Sequence, residues 1–195
     1  MVSKSQLREI KEFVKRRCEN LDYNHDFEHV ERTVKLAEFL AKKENADKDV
    51  CVIAAWLHDI ERAKNEEVHG YLGARTAKLF LERLGFDSEF IEKVCHAIEC
   101  HDLESIDKAE TIEAKVVFDA DKLQVIGPFG FIREFSQYAV FNGKKPREAV
   151  ELALNEMKRI FERLQTETAK TLASKPYEFV LEFCEMFRKW DRPKL

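Results

Sequence analysis

Six glycines and four prolines punctuate 195 residues, roughly half the usual share of those two residue types. Hairpin connections depend on glycine and related residues at left-handed positions, and a β-sandwich, barrel or propeller needs many such turns. Six glycines are too few for that, which argues against all-β architectures, and the chain is expected to be all-α. Apolar residues make up 45% and charged residues 36%, a balance that supports a packed core rather than disorder. The length suits a single domain over 1–195 with a core of its own. The longest strictly apolar run, 50–57, is eight residues, which argues against a membrane span or a secretory segment. A net charge of -4 and a pI near 5.9 argue against a nucleic-acid surface. An anionic substrate would then need a local positive group, such as a metal ion. Five scattered cysteines, an odd number, fit a reduced cytoplasmic protein.

The apolar spacing predicts about nine helices. Leu7, Ile10 and Val14 mark an amphipathic opener over 3–20. Asp26 caps a helix over 27–43 with Val30, Val34, Ala37 and Ala41 on one stripe. The next helix starts at Asp47 or Lys48 and holds the run 50–57, which is apolar on every side and therefore a buried helix. After a charged loop over 61–68, Gly70, Gly73, Ala74 and Ala77 in a helix over 69–84 allow close backbone approach, and Gly85 stops it. Ser88 is expected to cap a helix to His101, and another covers 109–125. The pair Gly127-Pro128 is the clearest break. Beyond it, the aromatic-rich stretch 129–141 reads first as core, with a pocket cover or a dimer face as the other readings. A long helix over 146–173 and a last one over 177–190, separated at Pro176, complete the chain.

All six histidines fall between His25 and His101. His58-Asp59 ends the apolar run. An unpartnered buried carboxylate costs several kcal/mol or more, and an acid at a helix C-terminus has the wrong sign for the dipole. His29 lies on the inner stripe with Thr33, Leu36 and Leu40, and His101 lies in register with Ile91, Val94 and Ile98. His96 aligns with Glu89, Glu92 and Lys93, a solvated face. His69 can reach the same site as His101 or stay hydrated in the loop. Asp119 and Asp121 stand about 200° apart on a helix, so the two cannot face one ion, and periodicity favours Asp121 only slightly. The sulfurs of Cys95 and Cys100 lie about 140° apart, which disfavours a zinc site there. Histidine and aspartate ligands brought in from separate helices are how helical bundles hold metals, and two imidazoles with two carboxylates suit a six-coordinate transition metal.

The ordered set His29, His58-Asp59, Asp121 resembles the HD-domain superfamily of metal-dependent phosphohydrolases. The flanks agree: His25-Asp26-x-x-His29-x-x-Arg32, Ala54-Ala55-Trp56-Leu57-His58-Asp59-Ile60, His69-x-x-x-Gly73-Ala74, Glu113-Ala114-Lys115 and Asp119-Ala120-Asp121-Lys122-Leu123. Gly127 and the block Gly130-Phe131-Ile132-Arg133 are similar to a subgroup of small bacterial and archaeal HD hydrolases. The resemblance covers about 21–135, the metal-site core, and leaves 136–192 as additional C-terminal helices on an HD-domain helical bundle. It implies Asp121 over Asp119 as the last ligand. Members with two metals bring extra histidines, often an adjacent pair; this chain offers only His69 and His101, which implies one metal. Gln124-Val125 departs from the acid and small residue common in relatives.

The resemblance thus implies a phosphohydrolase that cleaves a phosphate ester or phosphoanhydride, with a nucleotide as the expected substrate. The expected metal ligands are His29, His58, Asp59 and Asp121, and the ion is one divalent transition metal: Mn²⁺ first, then Fe²⁺, Co²⁺, Ni²⁺ or Mg²⁺. Asp59 is expected to orient the attacking water, and His69 and His101 to contact phosphate or protonate the leaving oxygen. Arg32, Lys122, Arg62 and Arg133 are the candidate substrate contacts, with Glu66 or Glu67 as an alternative acid. The expected partners are a phosphorylated small molecule and, as one option, a second copy of the chain, with neither nucleic acid nor membrane. The competing readings are a di-iron oxygenase of HD type and a non-catalytic metal- or nucleotide-binding module.

Overall fold

The computed structural model describes residues 2–19, 21, 24–62 and 69–191. Among them are nine α-helices and no strand, as the scarcity of turn residues requires. The chain folds as two compact units, Met1–Asp121 and Lys122–Leu195.

In the first unit, α1 (Lys4–Cys18) opens with a capping box in which Ser3 and Gln6 satisfy each other's backbone N–H groups. Helix α2 (Phe27–Glu44) starts at Asp26, whose carboxylate accepts the N–H of His29 at 2.8 Å. The N-cap therefore fixes the turn that presents His29. Helix α3 (Lys48–Leu57) is capped by Asp47 and contains the eight-residue apolar run. It packs against α1, α2, α4 (His69–Arg83) and α5 (Ser88–Glu99), which explains why its sequence is apolar all round. Fully burying one of its leucine or isoleucine side chains contributes roughly 1.5–3 kcal/mol. Helix α6 (Ile112–Lys122) is tied to the start of α3, where Glu113 accepts the N–H of Asp47 at 2.9 Å.

Two boundaries in this unit differ from expectation. Asp87, not Ser88, caps α5, because its carboxylate accepts the N–H of Phe90. The same helix stops at Glu99, so His101 lies just past its C-terminus. Gly85 adopts φ +77° after α4, the left-handed stop expected of it.

In the second unit, a 3₁₀ turn at Leu123–Val125 leads to α7 (Gly127–Ser136), a π-helical turn (Gln137–Phe141), α8 (Pro146–Arg163) and α9 (Glu167–Asp191). Helices α7, α8 and α9 pack on one another. Residues 127–128 start a helix rather than merely breaking one. Gly127 has φ +82°, and a Cβ there would sit 2.7 Å from Cβ of Pro176. The expected break at Pro176 is overturned. The chain instead turns between Arg163 and Glu167, where the hydroxyl of Thr166 accepts the N–H of Ala169, and Pro176 lies inside α9 against Gly127. The aromatic stretch divides: Phe131 is buried, whereas Phe129, Ile132, Val140 and Phe141 are exposed, so it is not a continuous core stripe.

Candidate metal centre

Four buried side chains of the first unit converge at the end of α3. His29 Nε2 lies 3.3 Å from His58 Nε2 and 3.2 Å from Asp121 Oδ1. His58 Nε2 lies 3.2 Å from Asp59 Oδ2 and 3.9 Å from Asp121 Oδ1, and Asp59 Oδ2 is 3.7 Å from His29 Nε2. Neighbouring ligands on a six-coordinate ion with bonds near 2.1 Å stand about 3 Å apart, and these spacings approach that. The donor orientation agrees as well. His58 Nδ1 donates to the carbonyl of Ala55 at 2.9 Å, which turns its Nε2 toward the cluster. The residues present therefore fit a divalent metal ion.

A second set meets the other oxygen of the same carboxylate. Asp59 Oδ1 lies 3.3 Å from His69 Nε2 and 3.6 Å from His101 Nε2, and those two nitrogens are 3.0 Å apart. His101 repeats the arrangement of His58. It follows the end of a helix, its Nδ1 donates to the carbonyl three residues back (Ile98, 2.6 Å), and an aspartate comes next. That aspartate, Asp102, places Oδ2 at 3.3 Å from His69 Nε2. The glycines of α4 make this possible. A Cβ on Gly73 would touch the carbonyl of His58 at 3.4 Å, and one on Gly70 would meet the carbonyl of Ile98 at 3.3 Å. The C-terminal ends of α3 and α5 thus both open beside the cluster, and their carbonyl dipoles favour a cation there.

The electrostatics follow from this crowding. Burial works against charge on His58, but Asp59 and Asp121 outweigh it and hold the imidazole up at about 9. Burial dominates at His29 and lowers its pKa, despite the pull of Asp121. Burial alone would raise the carboxyl of Asp59; the charge of His58 and hydrogen bonds from His101, His58 and His69 hold it well below the usual range instead. This answers the question posed by a carboxylate at the end of an apolar helix: its partners are four imidazoles. Five titratable side chains, His29, His58, Asp59, His69 and His101, are each almost wholly inaccessible, so the charge they hold must be balanced locally.

The other sequence candidates are placed as follows. Arg62 Nη1 lies 3.2 Å from His69 Nε2 and 3.6 Å from Asp59 Oδ1. Arg32 stands on α2 one turn after Glu28 and approaches its carboxylate at 3.5 Å. Lys122 and Arg133 belong to the second unit, where Arg133 donates to the carbonyl of Gln124 at 3.4 Å. Glu66 and Glu67 lie outside the described residues. Asp119 is fully buried, so the acids of this block are not solvated. His96 is half-buried rather than surface-exposed, because its Nε2 accepts the N–H of Glu110 at 3.1 Å. Sequence reasoning passed over Asp102 and Glu61. The first was signalled by a second His-Asp dipeptide, His101-Asp102. The second is a buried glutamate whose Oε1 accepts from Arg17 at 3.1 Å and Thr76 at 2.8 Å, contacts that spacing does not reveal.

A bundle that gathers a histidine, a His-Asp pair and a later aspartate around one point defines the HD class. The HD-domain family model matches residues 26–126, the segment holding every one of these side chains, and the chain belongs to that family. A predicted HD superfamily hydrolase from an uncultured Thermotogales bacterium is 31% identical; the match covers 94% of this chain and 92% of that one, with a TM-score of 0.70. The uncharacterised Bacillus subtilis protein YpgQ is 28% identical over 178 residues, 85% of this chain and 83% of its own length. A crystal structure of YpgQ in complex with ADP aligns over 97% of this chain and 96% of that one at a TM-score of 0.77. An HD-superfamily hydrolase from Bacillus thuringiensis, 27% identical, aligns over 96% and 98% at 0.75.

Proposed function

We propose that the chain is a metal-dependent phosphohydrolase that cuts a phosphate ester or phosphoanhydride of a nucleotide. The observation that carries this reading is the convergence of His29, His58 and Asp121 on one point, with Asp59 turned both to it and to His69 and His101. His29, His58, Asp59 and Asp121 would hold one divalent ion per chain, Mn²⁺ by expectation, with Fe²⁺, Co²⁺, Ni²⁺ or Mg²⁺ as substitutes. Such an ion supplies a Lewis acid for a phosphate oxygen and acidifies a bound water.

The chain's own groups supply the rest. Asp59 is ionised and aimed into the cluster, which suits it to orient a water by accepting its hydrogen bond. His69 and His101, with Nε2 atoms 3.0 Å apart, can share a proton and deliver it to a leaving oxygen. Arg62 presents a forked donor beside them for a phosphate oxygen. Arg32, on α2 of the same unit, is a further phosphate contact in this reading. The ADP complex of YpgQ supports a nucleotide ligand, since ADP carries both a phosphate ester and an anhydride.

We also propose a single domain over 1–195 and a cytoplasmic setting. Five free thiols support a reducing compartment, and no helix among the described residues is long and apolar enough to cross a membrane. Phe179, Phe183, Met186 and Trp190 leave an exposed apolar stripe on α9, which supports pairing of two copies.

The deciding experiment is phosphate and pyrophosphate release from a nucleotide panel after chelation, with Mn²⁺, Mg²⁺, Co²⁺ or Ni²⁺ restored singly, beside Asp59→Ala. Metal-restored turnover that the variant lacks supports the reading. No ion bound to folded protein overturns it. The donor set of Asp59, His69 and His101 favours a second reading, a di-iron oxygenase, which requires two bound irons and an O₂-dependent reaction. Tight nucleotide binding without turnover would identify a non-catalytic module.

A further inference from the structure

The end of the cluster around His69 gathers two carboxylates and two imidazoles in a small, largely buried space. His101 Nδ1 donates to the carbonyl of Ile98 at 2.6 Å, which turns its Nε2 toward this end. Asp59 Oδ1 and Asp102 Oδ2 are acceptors. These two oxygens and His101 Nε2 stand 3.0–3.3 Å from His69 Nε2. Two carboxylates this close together favour a cation between them, and the chain itself brings one. The turn after α3, closed by the N–H of Arg62 on the carbonyl of Asp59 at 3.1 Å, returns the guanidinium to the cluster. Its Nη1 stands 3.2 Å from His69 Nε2 and 3.6 Å from Asp59 Oδ1, with the side chain only 18% exposed. The preceding residue anchors that turn. Glu61 is buried and accepts hydrogen bonds from Arg17 of α1 and Thr76 of α4.

We infer that Arg62 takes the place of a second metal ion: its guanidinium neutralises the Asp59–His69–His101–Asp102 end and restricts the protein to one ion, at His29, His58, Asp59 and Asp121. The inference rests on the metal reading proposed above and deepens it. A guanidinium stays charged at every working pH, and a dication entering beside it meets like-charge repulsion in a poorly hydrated space. A bound phosphate would then face one metal ion on one side of Asp59 and an arginine on the other.

The test is the number of Mn²⁺ ions bound by the full chain, from equilibrium dialysis with elemental analysis, together with the Mn²⁺ electron spin resonance spectrum. Wild type and Arg62→Lys, which keeps the cation, are expected to bind one ion with a mononuclear signal. Folded Arg62→Gln is expected to bind two, its second site tightened at least tenfold, with the spin-coupled signal of a pair bridged by Asp59. Adding His101→Ala to that variant should return the count to one. Two ions in wild type at the same free Mn²⁺, or one in folded Arg62→Gln, overturns the inference while the single-metal site stands. No ion in wild type removes both. The wild-type count tests the inference even where a variant does not fold.

Discussion

Loading the site with Mn²⁺ at pH 7 is expected to expel about one proton, and that proton comes from His58. Ligation needs the Nε2 lone pair, whereas in ion-free protein Asp59 Oδ2 at 3.2 Å and Asp121 Oδ1 at 3.9 Å favour a protonated ring, with a pKa of about 9. At pH 7 such a group is about 99% protonated, against about 24% for an ordinary imidazole. His29, lowered by burial, and Asp59, already ionised, contribute little further. The apparent dissociation constant should therefore fall about tenfold per pH unit between pH 6 and 8 and level off above 9. Isothermal titration calorimetry in buffers of different ionisation enthalpy measures the proton count directly as a slope. A slope near zero at pH 7, or an affinity flat from pH 6 to 8, would refute the reasoning. The same shift has a stability consequence of opposite sign. A folded pKa above the unfolded value means that the charged ring stabilises the ion-free fold fully below pH 6.5. That contribution is lost as pH rises through 9. Melting of the ion-free protein should accordingly weaken over that window, while excess Mn²⁺ stabilises the protein most at its alkaline end.

Three substitutions test the scaffold. Glu61→Ala strips Arg17 and Thr76 of their shared acceptor and should cost about 1–3 kcal/mol in urea unfolding. Gly127→Ala combines a left-handed backbone with a Cβ driven into Pro176; a cost above about 1 kcal/mol is expected, and a neutral result would show that the α7–α9 packing is looser than the geometry implies. Phe118→Ala empties a fully buried position on α6 and should lower stability by about 3–5 kcal/mol, measured against the midpoint of chemical unfolding.

Much of the site was legible in the order and spacing of residues alone. The apolar run that ends in His58-Asp59 demanded a partnered carboxylate, and four imidazoles supply the partners. Asp26 and Asp47 cap the helices that spacing assigned to them. Other features were hidden for identifiable reasons. Ser88 and Asp87 are both good caps, and only backbone geometry chooses between them. Pro176 reads as a breaker, but local preference yields where α7 packs a glycine against the proline and Thr166 provides a better start for α9. His69 could be hydrated or inward from its spacing. The small residues of α4 decide it, because they let the helix approach the ends of α3 and α5 closely. Asp102 carried no periodic signal, since it follows a helix end where periodicity stops.

By itself, the sequence determined that the chain is helical, which helix is buried on all sides, and the order in which His29, His58-Asp59 and Asp121 arrive. Those properties are local or periodic, and a 3.6-residue repeat with caps specifies them. Only the tertiary structure decided that Asp59 divides its two oxygens between two donor sets, that His101 and Asp102 repeat the arrangement of His58 and Asp59, and that Arg62 turns back beside His69. Periodicity states which face of a helix is inward. Which atoms meet there depends on how closely neighbouring helices approach and where each one ends, and those distances are set by packing between residues far apart in the chain.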